Sequence, residues 1–362
     1  MRPQRKSLTA TLKAVLSPRQ YAFVRRTVFA LRAAALRFAV LGSLPSALYY
    51  AFVSRAFDRE HYAVAVAVRR NLRSRNEVAL YRLRRNIHRL EKGLLMRPRR
   101  TPFALDYIDE TVDLLVDLES NQNIQRDEDL VWASDVLSEY LDAVGEDQRV
   151  VEARQRFEEG RLVGANRTRV PALRQPGSEP VDYDQFLSLM RQRRSVRWFQ
   201  NRPVPRGLID RAVAAASHAP SGCNRQPYTY WVIDDPGLVR EVSGIPLGTA
   251  GFRDNIPVIV CLVGDLSAFF GERDRHGIYV DASLSAMAFM LALESQGLSS
   301  CPLNWPDIAK LERRARATLD LETYERIVMF IAVGYADPEG MVAHSQRRGV
   351  EKVRRYNLVS GV

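Results

Sequence analysis

Apolar residues recur at helical spacing through most of the first half of the chain. The stretch Ala63–Leu95 contains few helix breakers, and the stretches 101–118 and 127–144 place Ile, Val and Leu three or four positions apart, which is the spacing of one helix face. Gly, Asn, Pro and Ser then collect in Gly164–Pro180, which is the composition of a linker. We therefore predict a mostly helical N-terminal region over residues 1–170.

The pattern changes after Val181 and mixes two periodicities. Helical spacing returns in four stretches, which are 184–193, 205–218, 278–296 and 306–319. Short apolar runs rich in β-branched residues, typical of buried strands, occupy 228–233, 257–263 and 327–334. Because helices and strands alternate without a regular βαβ repeat, we predict a second domain over residues 181–358 of the α+β class and not a doubly wound fold.

Charge is distributed unevenly along the 362 residues, whose net charge is +11. Residues 1–100 carry 23 Lys and Arg against 4 Asp and Glu, a balance of +19, whereas the remaining residues have a balance of −8. Such a basic segment indicates an anionic partner. Nucleic acid is not the expected partner, because no recognised nucleic-acid-binding motif and no interleaved aromatic residues accompany the arginines.

A helix over Arg25–Leu41 would separate basic from apolar side chains. At 100° per residue, Arg25, Arg26, Arg32 and Arg37 fall within an arc of roughly 140°. The longest uncharged run, from residue 38 to residue 54, has 17 residues, fewer than the about 20 that a spanning helix needs. Two interpretations remain open: the helix packs its apolar face on the rest of the protein, or segment 25–53 lies on an anionic bilayer surface. We expect a cytoplasmic protein, which in the second case is peripheral on the inner membrane face.

The chain offers few side chains for catalysis. Its three cysteines are too few and too scattered for a disulfide framework or a zinc cluster, and Cys261 lies in an apolar run, as reduced core cysteines do. The sequence has no Gly-x-Gly-x-x-Gly, no Walker-type loop, no paired metal-binding histidines and no Gly-x-Ser-x-Gly elbow. We therefore expect no metal site and no catalytic side chain, and a cofactor as the source of the chemistry.

Two polar segments stand out in the second domain. Arg191–Phe199 gathers arginines and a serine just after a predicted helix, and guanidinium groups form bidentate, charge-assisted bonds to phosphate. Ala219–Tyr228 joins a helix to a strand; its Asn and Gln side chains can bond a flat heteroaromatic ring, and Gly222 lets a ring approach the backbone. Taken singly, the first segment is more often a basic helix end, and the second is more often an ordinary turn.

Together and in this order, the two segments resemble the FMN-dependent nitroreductase family. The family pattern is Arg-x-Ser-x-(Arg/Lys)-x-Phe, followed by a Pro-Ser-x-x-Asn-x-Gln-Pro loop, and both are present here. Three later elements follow in family order: Gly297–Asn304, Ala332–Tyr335 and Gln346–Arg348. The resemblance covers residues 183–357, and it implies an α+β domain that forms an intertwined homodimer with FMN at the dimer interface.

The resemblance also implies the cofactor-binding residues. Those that would hold the phosphate and ribityl chain are Arg193, Arg194, Ser195 and Arg197. Those that would border the isoalloxazine ring are Pro220, Ser221, Asn224 and Gln226. A strip over the flavin would be formed by Pro302, Leu303 and Asn304. Arg347 best matches a C-terminal phosphate contact, with Arg348 as the alternative if the register differs by one.

The implied function is an oxidoreductase that moves electrons from NADH or NADPH to a small organic acceptor. The acceptor would be a nitro compound, a quinone or a biosynthetic intermediate, and FMN would be the redox centre. The alternative is a flavin domain that serves as a dimerisation scaffold, or an accessory protein that docks to a membrane-associated assembly. The intact arginines and amides favour the enzyme.

Overall fold

The chain divides into two compact units, Met1–Ala63 and Val64–Val362. The computed structural model describes residues 15–73, 78–120, 128–145, 147–162, 165–174 and 181–357. Residues 164 and 175–180 of the predicted linker lie outside the described residues. The boundary between a region 1–170 and a domain 181–358 therefore stays a prediction.

The first unit is helical in its described part. Its elements are α1 (Pro18–Ala39), α2 (Ser43–Tyr49), a π-helical turn (Tyr50–Ser54) and the start of α3 (Asp58–Arg73). Helix α1 begins before the predicted amphipathic stretch because Ser17 and Gln20 form a reciprocal capping box. The Gln20 N–H donates to Ser17 Oγ (3.3 Å), and the Ser17 N–H donates to Gln20 Oε1 (3.0 Å). Pro18 then fills the first helical position, where no N–H is required.

Four helices of the second unit share one apolar core. They are α4 (Ala79–Leu94), α5 (Ile108–Glu119), α6 (Glu128–Ala143) and α7 (Gln148–Gly160). Leu90, Leu115, Leu137 and Phe157, one from each helix, are fully buried in it. The predicted helical character of the N-terminal region is thus confirmed. The stretch predicted as one helix over 63–95 is described as parts of α3 and α4, separated by residues outside the description.

A four-stranded antiparallel sheet forms the centre of the remaining part, with strand order β1-β2-β4-β3. The strands are β1 (Tyr228–Ile233), β2 (Val258–Asp265), β3 (Ser299–Leu303) and β4 (Glu325–Gly334). The predicted α+β class is confirmed. Strand β3 was not predicted, because it is only five residues long and contains Pro302, which lacks the N–H that a ladder uses. Its position at the sheet edge tolerates that proline.

Helices cover both faces of the sheet. They are α8 (Tyr183–Gln192), α9 (Arg206–Ala216), α10 (Pro236–Ser243), α11 (Gly277–Ser295), α12 (Ala309–Leu319) and the short α13 (Val350–Val353). Side chains of β2 alternate between two cores: Cys261 packs with Phe330, whereas Val260 packs in the core that contains Phe289 of α11. Because both faces are buried, β2 is an uninterrupted apolar run.

Among the described residues, one helical stretch, Glu272–Ser295, has the length and apolar composition of a membrane-spanning helix. Most of that stretch is α11, whose Ile278, Phe289 and Leu293 are fully buried in the protein. Core helices of soluble proteins meet the same criterion, so the composition of α11 is explained by its place in the fold.

Candidate functional site

The first motif segment lies along the outer edge of the sheet. Ser195 forms a parallel bridge with Ser300, and the Val196 N–H donates to the Ser300 carbonyl at 3.1 Å. Further along, Phe199 bridges to Ala336. Because β3 is the edge strand, this pairing places Arg193–Arg197 directly beside Cys301–Leu303. Two segments that are about a hundred residues apart in the sequence thus meet in the fold.

A cavity of about 540 Å³ opens beside this segment and is called here the arginine pocket. Its lining residues are Leu187, Met190, Arg191, Arg193, Arg194, Met287, His344, Ser345, Gln346 and Arg347. The pocket brings Arg193 and Arg194 together with Arg347, as expected for a phosphate site. Arg194 fixes the C-terminal segment, since its guanidinium donates to the carbonyls of Ala343 and His344, the latter at 2.6 Å.

The arginine pocket has one buried donor without a partner, although Glu294, outside its lining, is close enough to Arg193 for their charges to interact. Arg193 Nε is buried and has no hydrogen-bond partner in the described structure, although buried polar groups are almost always paired. No carboxylate stands among the described residues that line the pocket. Phosphate offers several charged acceptor oxygens to such a donor set. The residues present therefore fit the phosphate of a nucleotide-like cofactor.

Arg347, and not Arg348, is the C-terminal arginine of the pocket. The guanidinium of Arg347 donates to the Ser345 carbonyl at 3.0 Å, within the pocket wall. Arg348 instead donates to the carbonyl of Lys352 at 3.0 Å, near α13. Which of the two arginines contacts a phosphate stays a prediction.

Ser195 and Arg197 face a different neighbour, the Cys301 thiol. Burial raises the pKa of Cys301, and the charges of Arg197 and Arg193 offset part of that rise. Ser195 adds a hydrogen bond that acts in the same direction as the two arginines. The net rise keeps Cys301 a neutral core thiol, because a nucleophilic cysteine needs a lowered pKa. Arg197 itself is exposed and does not line the arginine pocket.

The three residues predicted to form a strip over the flavin differ in exposure. Leu303 is buried in the core, Pro302 is half-buried at the sheet edge, and Asn304 is exposed just after β3. These residues belong to strand β3 or directly follow it, and Ser195 pairs with this strand. They therefore lie at the same edge of the sheet as the first motif segment.

The segment Ala219–Tyr228, called here the amide loop, is held in one shape by its own polar groups. The Gln226 N–H donates to Ser221 Oγ (3.0 Å), and Gln226 Nε2 donates to Asn224 Oδ1 (3.1 Å). Cys223, Asn224 and Gln226 all have positive φ, near +50°. Such backbone strain in non-glycine residues is typical of functional loops and persists only when surrounding contacts hold it.

Helix α11 contacts both the amide loop and the end of the helix that precedes Arg193. The Gly222 N–H donates to Asp281 Oδ2 (2.9 Å) near the start of α11. Gln192, next to Arg193, forms a side-chain hydrogen bond with Glu294 in the last turn of α11. At 1.5 Å per residue these two points are about 20 Å apart along the helix. The wall of the arginine pocket also includes Met287, which lies six residues after Asp281, or about 9 Å along the helix.

Helix α4 packs on the amide loop, which sequence reasoning missed. Arg84 Nε donates to the Asn224 carbonyl at 2.8 Å. Phe270 follows β2 and lies beneath the guanidinium groups of Arg85 and Arg225, at 4.7 and 5.8 Å from its ring centre. The signal in the sequence was the repetition of arginines, at positions 82, 84, 85 and 89, within one predicted helix. That signal does not say what the arginines contact.

The family model described as the nitroreductase family matches residues 190–249 and 238–335. The C-terminal half of this chain is a nitroreductase-family domain. "NADH dehydrogenase" of Thermus thermophilus is 29% identical over 184 residues, which are 42% of this chain and 87% of that protein. "Iodotyrosine deiodinase 1" of Sus scrofa is 26% identical over 254 residues, covering 61% of this chain and 84% of that protein. The solved structure of an FMN-dependent nitroreductase from Clostridium difficile aligns with 22% identity and a TM-score of 0.41, over 48% of this chain and 99% of that one.

The matched segments include most of the predicted site of the nitroreductase-family domain. Arg193–Arg197, the amide loop and Pro302–Asn304 all lie within the residues matched by the family model. Arg347 lies beyond them, and α4 lies before them. Helix α4, which contacts the amide loop, thus lies outside the residues matched by the family model.

Proposed function

We propose that the protein is an FMN-dependent oxidoreductase that passes electrons from NADH or NADPH to a small organic acceptor. The arginine pocket carries this proposal, because it gathers arginines around a buried, unpartnered Arg193 Nε with no carboxylate among its described lining residues. The family match and the NADH dehydrogenase among the relatives support a reductive enzyme.

The residues of this chain would bind and orient the cofactor. Arg193 and Arg347 would hold the phosphate, and Arg194 would hold the wall of the pocket in place through its carbonyl contacts. The side-chain amides of the amide loop would bond the ring edge. Bound FMN supplies the redox chemistry by accepting a hydride and passing the electrons on. No side chain needs to act as acid or base, in agreement with the neutral, buried Cys301.

Purification of the full chain tests the proposal. We expect a yellow protein that takes up one FMN per chain, and whose flavin absorbance bleaches with NADH or NADPH under anaerobic conditions and returns when 4-nitrobenzoate or a quinone is added. A colourless protein that takes up no FMN on reconstitution would overturn the proposal. Stoichiometric FMN that neither nicotinamide reduces would instead support the scaffold alternative.

We also propose that two copies of the chain build each flavin site together. The support is the resemblance to the nitroreductase family, which implies an intertwined homodimer with FMN at the dimer interface. Mixed variants test this. Arg193→Gln/Arg347→Gln chains and Asn224→Ala/Gln226→Ala chains should each bind FMN weakly. When unfolded and refolded together they should regain one intact site per mixed dimer. No regain, or a monomer by light scattering, would refute shared sites.

The basic segment 25–53 is proposed to dock on an anionic membrane surface. Helix α1 exposes Val28, Leu31 and Phe38, all of which lie on its predicted apolar side and are at least half exposed. Arginines 25, 26, 32 and 37 occupy the remaining arc. Apolar side chains flanked by cations match a bilayer that contains anionic lipid. This surface supports a cytoplasmic enzyme that is peripheral on the inner membrane face.

Co-sedimentation with vesicles tests the docking proposal. Each arginine near an anionic surface contributes about 1 kcal/mol, so replacing all four by Gln should weaken binding by roughly 10³-fold. Binding should require anionic lipid and decrease at high salt. If the wild-type chain stays in the supernatant with phosphatidylglycerol vesicles at low salt, the segment has a structural role instead.

A further inference from the structure

A cationic cluster lies where helix α4 meets the amide loop, and its charge is offset only in part, by Glu110 near Arg85 and by Asp281 near Arg225. Arg85 is half-buried, and Arg225 is 6% exposed. Both guanidinium groups lie within 6 Å of the Phe270 ring centre, at 4.7 and 5.8 Å. Two like charges are thus brought close to one another in a partly dehydrated place, an arrangement that costs free energy unless an anion offsets it.

The nearby carboxylates make their closest contacts with other groups. Glu110 pairs with Arg82, Asp129 with Arg84, and Asp106 with Arg89. Asp281 accepts the Gly222 N–H. Across the described part of the chain, no carboxylate lies within ion-pair distance of Arg85 or Arg225.

The N–H donors of this cluster are also incompletely hydrogen-bonded. Arg225 Nη1 donates to the Gly222 carbonyl at 3.0 Å, but its Nε is buried without a partner. Arg85 donates to Asn86 Oδ1 at 3.0 Å, a contact with its own chain neighbour. Burial, together with the charges of Arg89 and Arg225, lowers the pKa of Arg85. Each of these features would be relieved by an anionic ligand at this position.

We propose that Arg85, supported by the charge of Arg225, binds the carboxylate of the electron-accepting substrate. The acceptor class is then an organic acid, such as a nitroaromatic carboxylate, and not a neutral nitro compound or quinone. The inference rests on the proposed function, since it takes the amide loop to border the flavin ring. It assigns a role to α4: this helix, outside the family match, supplies the substrate-selecting charge.

The contact between α4 and the amide loop fixes the position of Arg85 relative to the proposed site of the flavin ring. Arg84 donates to the Asn224 carbonyl at 2.8 Å, one helical position before Arg85. Asn224 is itself one of the residues expected to border the ring. A shift of α4 would therefore move the proposed carboxylate site and the ring-binding loop together.

A pair of probes that differ only in charge tests the proposal: 4-nitrobenzoate and the neutral 4-nitrobenzamide. The FMN-loaded wild-type enzyme should have a KM for the carboxylate about 10- to 100-fold below that for the amide, as expected for one charge-assisted bidentate contact. Arg85→Gln should remove this preference through KM with kcat unchanged. Lys92→Gln, which removes one exposed charge from the same helix, should keep it.

Thermal unfolding in the presence of benzoate or benzamide tests the same site without enzymatic turnover. Benzoate should raise the melting temperature of the wild-type protein, benzamide should not, and Arg85→Gln should respond to neither. Without ligand, Arg85→Gln should melt at or above the wild-type temperature, because a dehydrated like charge is removed. A lower melting temperature would indicate a structural role for Arg85.

The outcomes separate this inference from the proposed function. If FMN binds and is reduced by NADH or NADPH, but the two nitro probes react equally in wild type and variant, the carboxylate site is wrong and the flavin enzyme stands. If no FMN binds, the flavin proposal fails, and the benzoate shift alone then decides whether Arg85 binds an anion.

Discussion

Replacement of Arg193 and Arg347 by Gln separates phosphate binding from ring binding in the proposed flavin site. These two arginines are chosen because both line the arginine pocket with donors left to offer. Arg194 is a poorer choice, since its guanidinium already holds the carbonyls of Ala343 and His344 and its loss would disturb the pocket wall. Gln keeps much of the side-chain length and removes only the charge and the fork of donors.

The expected magnitude follows from the donor count. A hydrogen bond to a charged group contributes about 1.5–3 kcal/mol, so losing one such contact from each arginine costs about 3–6 kcal/mol. That corresponds to roughly 10²- to 10⁴-fold in the dissociation constant of FMN. Arg347 is exposed and Arg193 is half-buried, so Arg193 should account for the larger share.

Riboflavin, which has the same ring without the phosphate, is the internal control. Titration of apoprotein, followed by quenching of flavin fluorescence, should show a strong preference of the wild type for FMN over riboflavin. The double variant should lose that preference while binding riboflavin as the wild type does. Arg211→Gln, on the exposed side of α9, carries a matched loss of charge and should behave as wild type.

The ratio of the affinities for FMN and for riboflavin distinguishes the possible outcomes. An unchanged preference for FMN in the double variant would mean that the phosphate binds elsewhere. An equal loss of FMN and riboflavin binding, with the far-ultraviolet spectrum preserved, would mean that the arginines position the ring site instead of the phosphate.

Three further predictions concern the stability of the fold. Leu90→Ala, at a fully buried position of the helical core, should lower the free energy of unfolding by about 2–5 kcal/mol in urea, whereas Leu173→Ala, 77% exposed, should change it by less than about 0.5 kcal/mol. Asp135 accepts backbone N–H groups of residues 166–169; burial alone would raise its pKa, but these bonds leave the pKa lowered. Asp135→Asn should therefore cost about 2 kcal/mol at pH 7, and the difference from wild type should shrink as the pH falls below about 4. Burial raises the pKa of Asp265 despite bonds from Ser267 and Tyr81, so wild-type stability attributable to this group declines as the pH rises above about 4. Asp265→Asn should then unfold at higher urea concentration than wild type at pH 8 and at the same concentration at pH 4.

The parts of the site that the sequence predicted are those carried by local residue patterns. Arg193, Arg194 and Arg347 were identified from the resemblance to the nitroreductase family, since the arginine run taken alone is more often a basic helix end. The amide loop was identified from Asn224 and Gln226, whose side chains do hydrogen-bond within a strained loop. Whether these residues bind FMN stays a prediction.

The parts that the sequence did not predict depend on pairing between distant segments. The bridge between Ser195 and Ser300 requires β3, a five-residue edge strand whose Pro302 argues against a strand. Edge position resolves that conflict, but the position of a strand within a sheet is not encoded in its own residues. The contact of Arg84 with Asn224 spans 140 residues, and helical periodicity shows which face of α4 is apolar without showing what the polar face meets.

The arrangement of the two arginine groups explains why a helical region precedes a nitroreductase-family domain in this chain. The arginine pocket lies beside Met287 of α11 and would serve any phosphate-bearing flavin. Arg85 belongs to α4 and lies beside the amide loop, which contacts α11 at Asp281. A site that two copies share would bring the pocket of one chain and the loop of the other to the same flavin. In that arrangement cofactor binding and substrate choice depend on different segments of the chain. The helical region can then change the accepted substrate without disturbing the phosphate site.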